Sequence, residues 1–210
     1  LKAAIFDIDG TLLDSMPIWS DLGLRYLEKN GIQAEKNLGK ILFPMTMAES
    51  AAYMKEKYHL KQSTEEIVQG VYKIVENFYR YEAQLKPGAD TYIRHLHKKG
   101  VPMILATSGN KALAGAALKR LGVLDYFQGI LSVDEYKTSK HEPDIYLQAA
   151  KLLHKEPKEC VVFEDVLYAL VSAKEAGFLC AGVKDEASAN DWLKIQRIAD
   201  YWIEDFSKAK

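Results

Sequence analysis

The sequence predicts an α/β fold: a core of parallel strands, with an all-helical segment inserted after the first strand. Three observations point there. An apolar run opens the chain at residues 3–8, AAIFDI. The stretch from 15 to 84 then shows helical periodicity and no strand pattern. From about residue 90 onward, short apolar runs alternate regularly with helix-patterned segments, and that alternation is the signature of a sheet covered by helices on both faces.

The elements follow in order. AAIFDI reads as a buried first strand, and GTLLDS as the turn after it. Residues 17–30 place Ile18, Trp19, Leu22 and Leu27 along one helical face, with Asn30-Gly31 as a stop. Residues 47–58 repeat the pattern with Met47, Ala51, Met54 and Tyr58. Ser63 with Glu66 forms a capping box that opens a helix carrying Ile67, Val71, Ile74, Val75 and Phe78. Leu85-Lys86-Pro87-Gly88 marks the return to the core, so the hinges of the insertion are expected near 14–16 and 84–88. Beyond it come a helix at 90–99, a strand at 101–107 and a helix at 111–121 closed by Gly122. A strand at 129–133 and a helix from Pro143 to about 154 follow, then a strand at 159–164. The helix at 167–177 ends on Gly177, as helices often do, and precedes a strand at 178–183. A helix at 188–197 and a strand at 201–203 end the pattern. The expected division is a core of residues 1–14 and 85–210 and a helical cap of residues 15–84.

Composition narrows the function. The 210 residues are 48% hydrophobic and 27% charged, as in a folded globule, and the formal net charge is -1. No basic field is present to hold a nucleic-acid backbone, and no apolar run is long enough to span a bilayer. The opening LKAAIFDIDG carries acidic residues where a signal peptide needs an apolar segment and a cleavage site. Cys160 and Cys180 each sit in an apolar stretch, which fits buried thiols and a cytoplasmic location. The five histidines form no zinc pattern.

In parallel sheets, reactive groups gather at the carboxyl ends of strands. Four groups of residues, each after or beside such a strand, carry chemistry here. Asp7 and Asp9, in DIDGT, stand two apart after the first run. If the strand continued regularly, both would share a face, and two neighbouring carboxylates repel unless a cation or a proton lies between them. One can attack phosphorus and bind Mg2+; the other can protonate the departing oxygen. Thr107, Ser108 and Gly109 follow the second core strand and offer hydroxyl and N–H ligands for phosphate at the start of a helix. Lys140, in TSKHEPDIY, supplies a cation for the nucleophile and the phosphoryl oxygens. Glu164-Asp165 follows ECVVF, where Asp165 is placed to join Asp7 on Mg2+, an ion that prefers hard oxygen ligands. Taken singly, these residues also read as a turn, a helix cap, an exposed lysine and a second cap. Together they form the parts list of phosphoryl transfer.

On FDIDGTLLDS, Thr107-Ser108-Gly109, Lys140 and Glu164-Asp165, the chain resembles the haloacid dehalogenase-like (HAD) superfamily. Its Rossmann-like branch with a helical cap after the first strand is the nearest in look, the branch of beta-phosphoglucomutases and phosphoglycolate phosphatases. The resemblance implies an aspartyl-phosphate on Asp7 and an acid/base role for Asp9. It also implies Mg2+ held by Asp7, Asp165 and the carbonyl of Asp9, with Glu164 secondary near the metal. Thr107 would then be the hydroxyl of the second motif, and Lys140 the motif lysine. The chain departs from the family pattern at Ser139, where glycine is usual, and at His141, where proline is usual. It departs again at Val166, where a small hydroxyl residue is usual, and at Ala169, where glycine is usual.

The implied activity is hydrolysis of a small phosphorylated metabolite, a sugar phosphate or similar, with no nucleic-acid or membrane partner and no predicted oligomerisation. The alternative is a phosphosugar mutase. A mutase must grip a distal phosphate, and its cap normally brings an arginine for this; the corresponding segment KILFPMTMAES (40–50) has none. Where the mutase has a histidine after the opening motif, Trp19 stands here. Lys73 and Arg80 are the substitutes on offer. A non-catalytic phosphate-binding module is the reading from a different class. Met16 and Trp19, near the first hinge, are candidate walls of the substrate pocket.

Overall fold

The computed structural model describes residues 1–209; Lys210, the last residue of the expected core, lies outside them. The chain divides into two compact units. One comprises Leu1–Ser15 and the chain from Ala83 on; the other is Met16–Glu82.

The first unit is built on a six-stranded, all-parallel sheet. Its strands are β1 (Ala3–Phe6), β2 (Met103–Thr107), β3 (Ile130–Ser132), β4 (Cys160–Glu164), β5 (Leu179–Val183) and β6 (Tyr201–Ile203). The spatial order is β3-β2-β1-β4-β5-β6. The chain therefore runs outward on one side of β1, through β2 and β3, then returns to build β4, β5 and β6 on the other. The strand order reverses at β1, and the crevice at such a switch point is where open α/β sheets place ligands.

Register does the fine positioning. Phe6 lies opposite Phe163, and the Asp7 amide donates to the Phe163 carbonyl at 3.0 Å, so Asp7 comes beside Glu164. The Phe6 and Phe163 rings stack with centroids 4.1 Å apart. Both strands are buried along their whole length, as continuous apolar runs in a doubly covered sheet should be.

Four helices belong to the second unit: α1 (Pro17–Lys29), α2 (Leu38–Leu42), α3 (Met47–Tyr58) and α4 (Thr64–Asn77). α3 and α4 both start with complete capping boxes, Thr46 with Glu49 and Ser63 with Glu66. Ile67, Val71, Ile74 and Val75 form the buried stripe of α4, which runs on into a π-turn at Phe78–Glu82.

The remaining helices flank the sheet: α5 (Ala89–Lys98), α6 (Lys111–Arg120), α7 (Val133–Tyr136), α8 (Asp144–Leu152), α9 (Leu167–Glu175) and α10 (Trp192–Ile198). Three details differ from the sequence reading. The first strand stops at Phe6 rather than at residue 8, because the chain leaves the ladder after Asp7 and turns at Gly10 with φ +85°. Residues 186–191 form a 3₁₀ segment ahead of α10. α2 and α7, with five and four residues, are too short to leave a readable period. Among the described residues, no helix is long and apolar enough to cross a membrane.

Candidate active site

The ends of β1 and β4 and the loop before α8 bring Asp7, Lys140, Glu164 and Asp165 into one buried cluster. Lys140 Nζ pairs with Asp7 Oδ1 and, at 2.5 Å, with Glu164 Oε1. Tyr146, on α8, donates its hydroxyl to the same Glu164 oxygen at 2.7 Å. Thr11 donates to Asp165 Oδ1 at 3.1 Å. Gly10 makes this approach possible: a Cβ on it would stand 2.5 Å from Asp165 Oδ2, and its positive φ disfavours any other residue. Lys140 comes from a loop, not a strand, and its carbonyl is held by Ser172 of α9 at 2.8 Å.

Three carboxylates and one ammonium thus share a buried site, with the ammonium paired to two of the three. Burial raises the Glu164 carboxyl to about 7; Asp7 adds to the effect, while Lys140 and Tyr146 oppose it. Burial also raises Asp165 well above the ordinary range, with Asp7, Glu164 and Asp185 adding and Thr11 opposing. For Lys140, burial alone would favour the neutral amine, but Asp7 and Glu164 outweigh it and the ammonium is held more firmly than usual.

The cluster fits a divalent cation. Asp7, Glu164 and Asp165 can each offer an oxygen, all within 4.8 Å of one another. Asp7 Oδ2 and Glu164 Oε2 are buried and have no hydrogen-bond partner. A divalent cation would supply what both oxygens lack and offset the excess negative charge, and an all-oxygen donor set suits a hard ion.

The other candidate residues divide into two groups. Asp9 is partly exposed, its carboxylate is not among the three that cluster, and it accepts from Ser15 at 2.7 Å. The expectation that Asp7 and Asp9 share a face across a continuing strand fails, because the ladder ends between them. Thr107 is fully buried, and its hydroxyl accepts from the Gly109 amide at 2.8 Å, so that N–H is spent inside the loop. A Cβ on Gly109 would come within 2.7 Å of Asp9 Oδ2 and 3.3 Å of Thr107 Oγ1, so the β2 loop and the Asp9 carboxylate lie against each other. Ser108 is exposed at the tip of this loop. Met16 and Trp19 belong to the helical unit. Trp19 is 46% exposed and lines, with Phe43, Met45 and Met47, a cavity of about 230 Å³ within that unit.

Sequence reasoning missed Tyr146, Ser15 and Ser172. Ser15 stands in the opening string, but no spacing rule points its hydroxyl back at Asp9. At the departure positions, His141 stacks on Tyr168 with ring centroids 4.1 Å apart.

Comparison with known proteins agrees with this geometry. The haloacid dehalogenase-like hydrolase family matches residues 1–177. The chain belongs to that family and is a hydrolase. It is 31% identical over 179 residues to hexitol phosphatase A of Escherichia coli, covering 84% of this chain and 80% of that one. It is 32% identical over 182 residues to the bifunctional riboflavin kinase/FMN phosphatase of Arabidopsis thaliana, covering 84% of this chain but only 46% of that protein's length. A solved Thermotoga maritima structure, described as a candidate beta-phosphoglucomutase, superposes with a TM-score of 0.82 at 26% identity, covering 97% and 94% of the two chains.

Proposed function

We propose that this hydrolase is a Mg2+-dependent phosphatase of a small phosphorylated metabolite, a sugar phosphate or similar, working through a phosphate ester on Asp7. The observation that carries the reading is the buried Asp7 carboxylate, pinned by Lys140 on one oxygen and bare on the other, at the point where the strand order reverses. Phosphatase names among the relatives support it.

In this reading Asp7 attacks phosphorus while Lys140 neutralises charge on the nucleophile and the transferring group. Asp9, oriented by Ser15, gives a proton to the departing oxygen and later takes one from the water that cleaves the ester. Thr107, Ser108 and Gly109 cradle the phosphoryl oxygens; Gly109 must then release its bond to Thr107 or contribute only closeness of backbone. Asp7, Asp165 and the Asp9 carbonyl would hold Mg2+, with Glu164 beside them as a further oxygen donor. When bound, Mg2+ stabilises the negative charge that builds on the phosphoryl group. A cytoplasmic location belongs to the same proposal, in keeping with two buried free thiols, Cys160 and Cys180.

The mutase alternative draws on the likeness to the Thermotoga structure. Against it stands the helical unit. Residues 40–50 contain no arginine, and the two substitutes, Lys73 and Arg80, both pair with Glu76, at 2.7 and 2.8 Å. The test is product partitioning: enzyme, Mg2+, beta-glucose 1-phosphate and a trace of the 1,6-bisphosphate, followed by phosphorus NMR, beside a panel of monophosphates. Growth of inorganic phosphate is expected. Rapid formation of glucose 6-phosphate with negligible phosphate release would overturn the phosphatase reading.

A further inference from the structure

Both hydrogen bonds to the Glu164 side chain arrive on one oxygen. Lys140 Nζ and the Tyr146 hydroxyl both meet Oε1, at 2.5 and 2.7 Å, while Oε2 is buried and without a partner. Asp7 shows the same asymmetry, with Lys140 on Oδ1 and nothing on Oδ2. Two donors on one carboxylate oxygen fix the rotation of the group, and with it the direction of the other oxygen. Tyr146 itself is wholly buried on α8, packed edge-on to Phe178 at 6.2 Å, so it cannot swing away.

We propose that Tyr146 is a positioning residue that locks the Glu164 carboxylate so that Oε2, together with Asp7 Oδ2, is kept for the cation. Without the hydroxyl, Lys140 alone would hold Glu164. A single ammonium makes no demand for planarity, and the carboxylate would be free to turn Oε2 toward Lys140 and pair with it through either oxygen. Mg2+ demands near-ideal octahedral ligand placement, so a loosened carboxylate costs it affinity. Partners that orient ligands in this way typically set metal affinity by about 10- to 100-fold.

This inference rests on the metal reading of the cluster, and the experiment separates the two. Mg2+ binding is measured by calorimetry on metal-free wild type, Tyr146→Phe, Glu164→Gln and the double variant. Phe keeps the buried ring, and melting in chelator checks that the fold is intact. The dissociation constant is expected to rise about 10-fold or more in Tyr146→Phe. In the Glu164→Gln background, the same change should have little further effect, because Tyr146 acts through that carboxylate. Wild type that fails to bind Mg2+ overturns the metal reading and this inference with it. Wild-type binding with Tyr146→Phe within about twofold overturns the inference alone. So does an effect that persists undiminished beside Glu164→Gln, since a purely structural tyrosine would behave that way.

Discussion

The two units of the molecule treat polarity in opposite ways. The helical unit buries Ile18, Leu27, Leu38, Met54, Ile67 and Val71 and, tyrosines aside, a single polar side chain among the described residues, Ser50. Its charges sit outside in pairs such as Arg25 with Glu82 and Arg80 with Glu76, partly exposed and individually worth little. The sheet unit instead buries Asp7, Lys140, Glu164, Asp165 and Asp185. Burying charge is costly even when it is paired, and here two of the carboxylate oxygens are not paired at all. One unit is assembled as economically as a helical bundle allows. The other accepts an unfavourable arrangement at one end of its sheet, and that is where chemistry is to be looked for.

The hardest test of this contrast is Asp7→Asn. Turnover should fall by about 10⁴-fold or more, as when a nucleophile is lost, while the fold survives. Removing a crowded negative charge should leave metal-free stability unchanged or higher, so a lower melting temperature without metal would break the contrast. Asp9→Ala should cost about 10²- to 10⁴-fold, more with an alkyl phosphate than with an aryl phosphate, because acid help matters most for a basic leaving group. Equal losses on both would remove Asp9 from acid catalysis. Asp165→Ala should weaken Mg2+ binding by at least about 10-fold, read by calorimetry; unchanged affinity would show that Asp165 does not hold the metal.

Two further measurements sharpen the comparison. In the helical unit, Ile67→Ala removes a fully buried side chain and should cost about 2 to 5 kcal/mol. The lost hydrogen-exchange protection should be confined to residues 16–82, with the Asp7 amide unaffected. The smallest expected effect is a slope. Glu164 in the folded protein is raised from 4.5 to about 7, so its native form holds a proton that the unfolded chain releases. That contribution to stability is complete below the unfolded value and is lost as pH rises through the folded one. Metal-free wild type should therefore lose more melting temperature between about pH 5 and 8 than Glu164→Gln does, and saturating Mg2+ should remove the difference. Parallel curves without metal would contradict the raised carboxyl.

Much of the fold was legible because each core strand is a compact apolar run with polar residues at its end. ECVVFE and VPMILAT are too short and too β-branched or apolar to read otherwise, and the polar residues after them mark the sheet's reactive edge. Sequence also pointed to the Ser63–Glu66 box, because capping is a local interaction. Pairing was not legible. Nothing in the spacing of Asp7 and Glu164 says that β1 and β4 are neighbours in register; that follows only from the strand order. Tyr146 is hidden for a similar reason: in DIYLQAA it is one more apolar position on a helix stripe, and its hydroxyl gains meaning only from a strand end 18 residues away. The end of the first strand was misread because Ile8 continues the apolar run, whereas the chain has already begun to turn toward Gly10.

The bond from the Asp7 amide to Phe163 has an evolutionary consequence. It extends the β1–β4 ladder by one residue, at the centre of the sheet and beside two stacked rings. An amide so placed should open only when the whole sheet comes apart, which makes the proposed nucleophile one of the least mobile points of the chain. Such a residue has no slack with which to follow a new substrate. A lineage that came to hydrolyse a different ester would have to find its variation elsewhere. The helical unit, whose stability comes from interchangeable apolar contacts rather than from a balance of buried charges, can absorb substitution at far lower risk to the chemistry. The rigidity of one residue thus assigns the work of innovation to the other part of the chain.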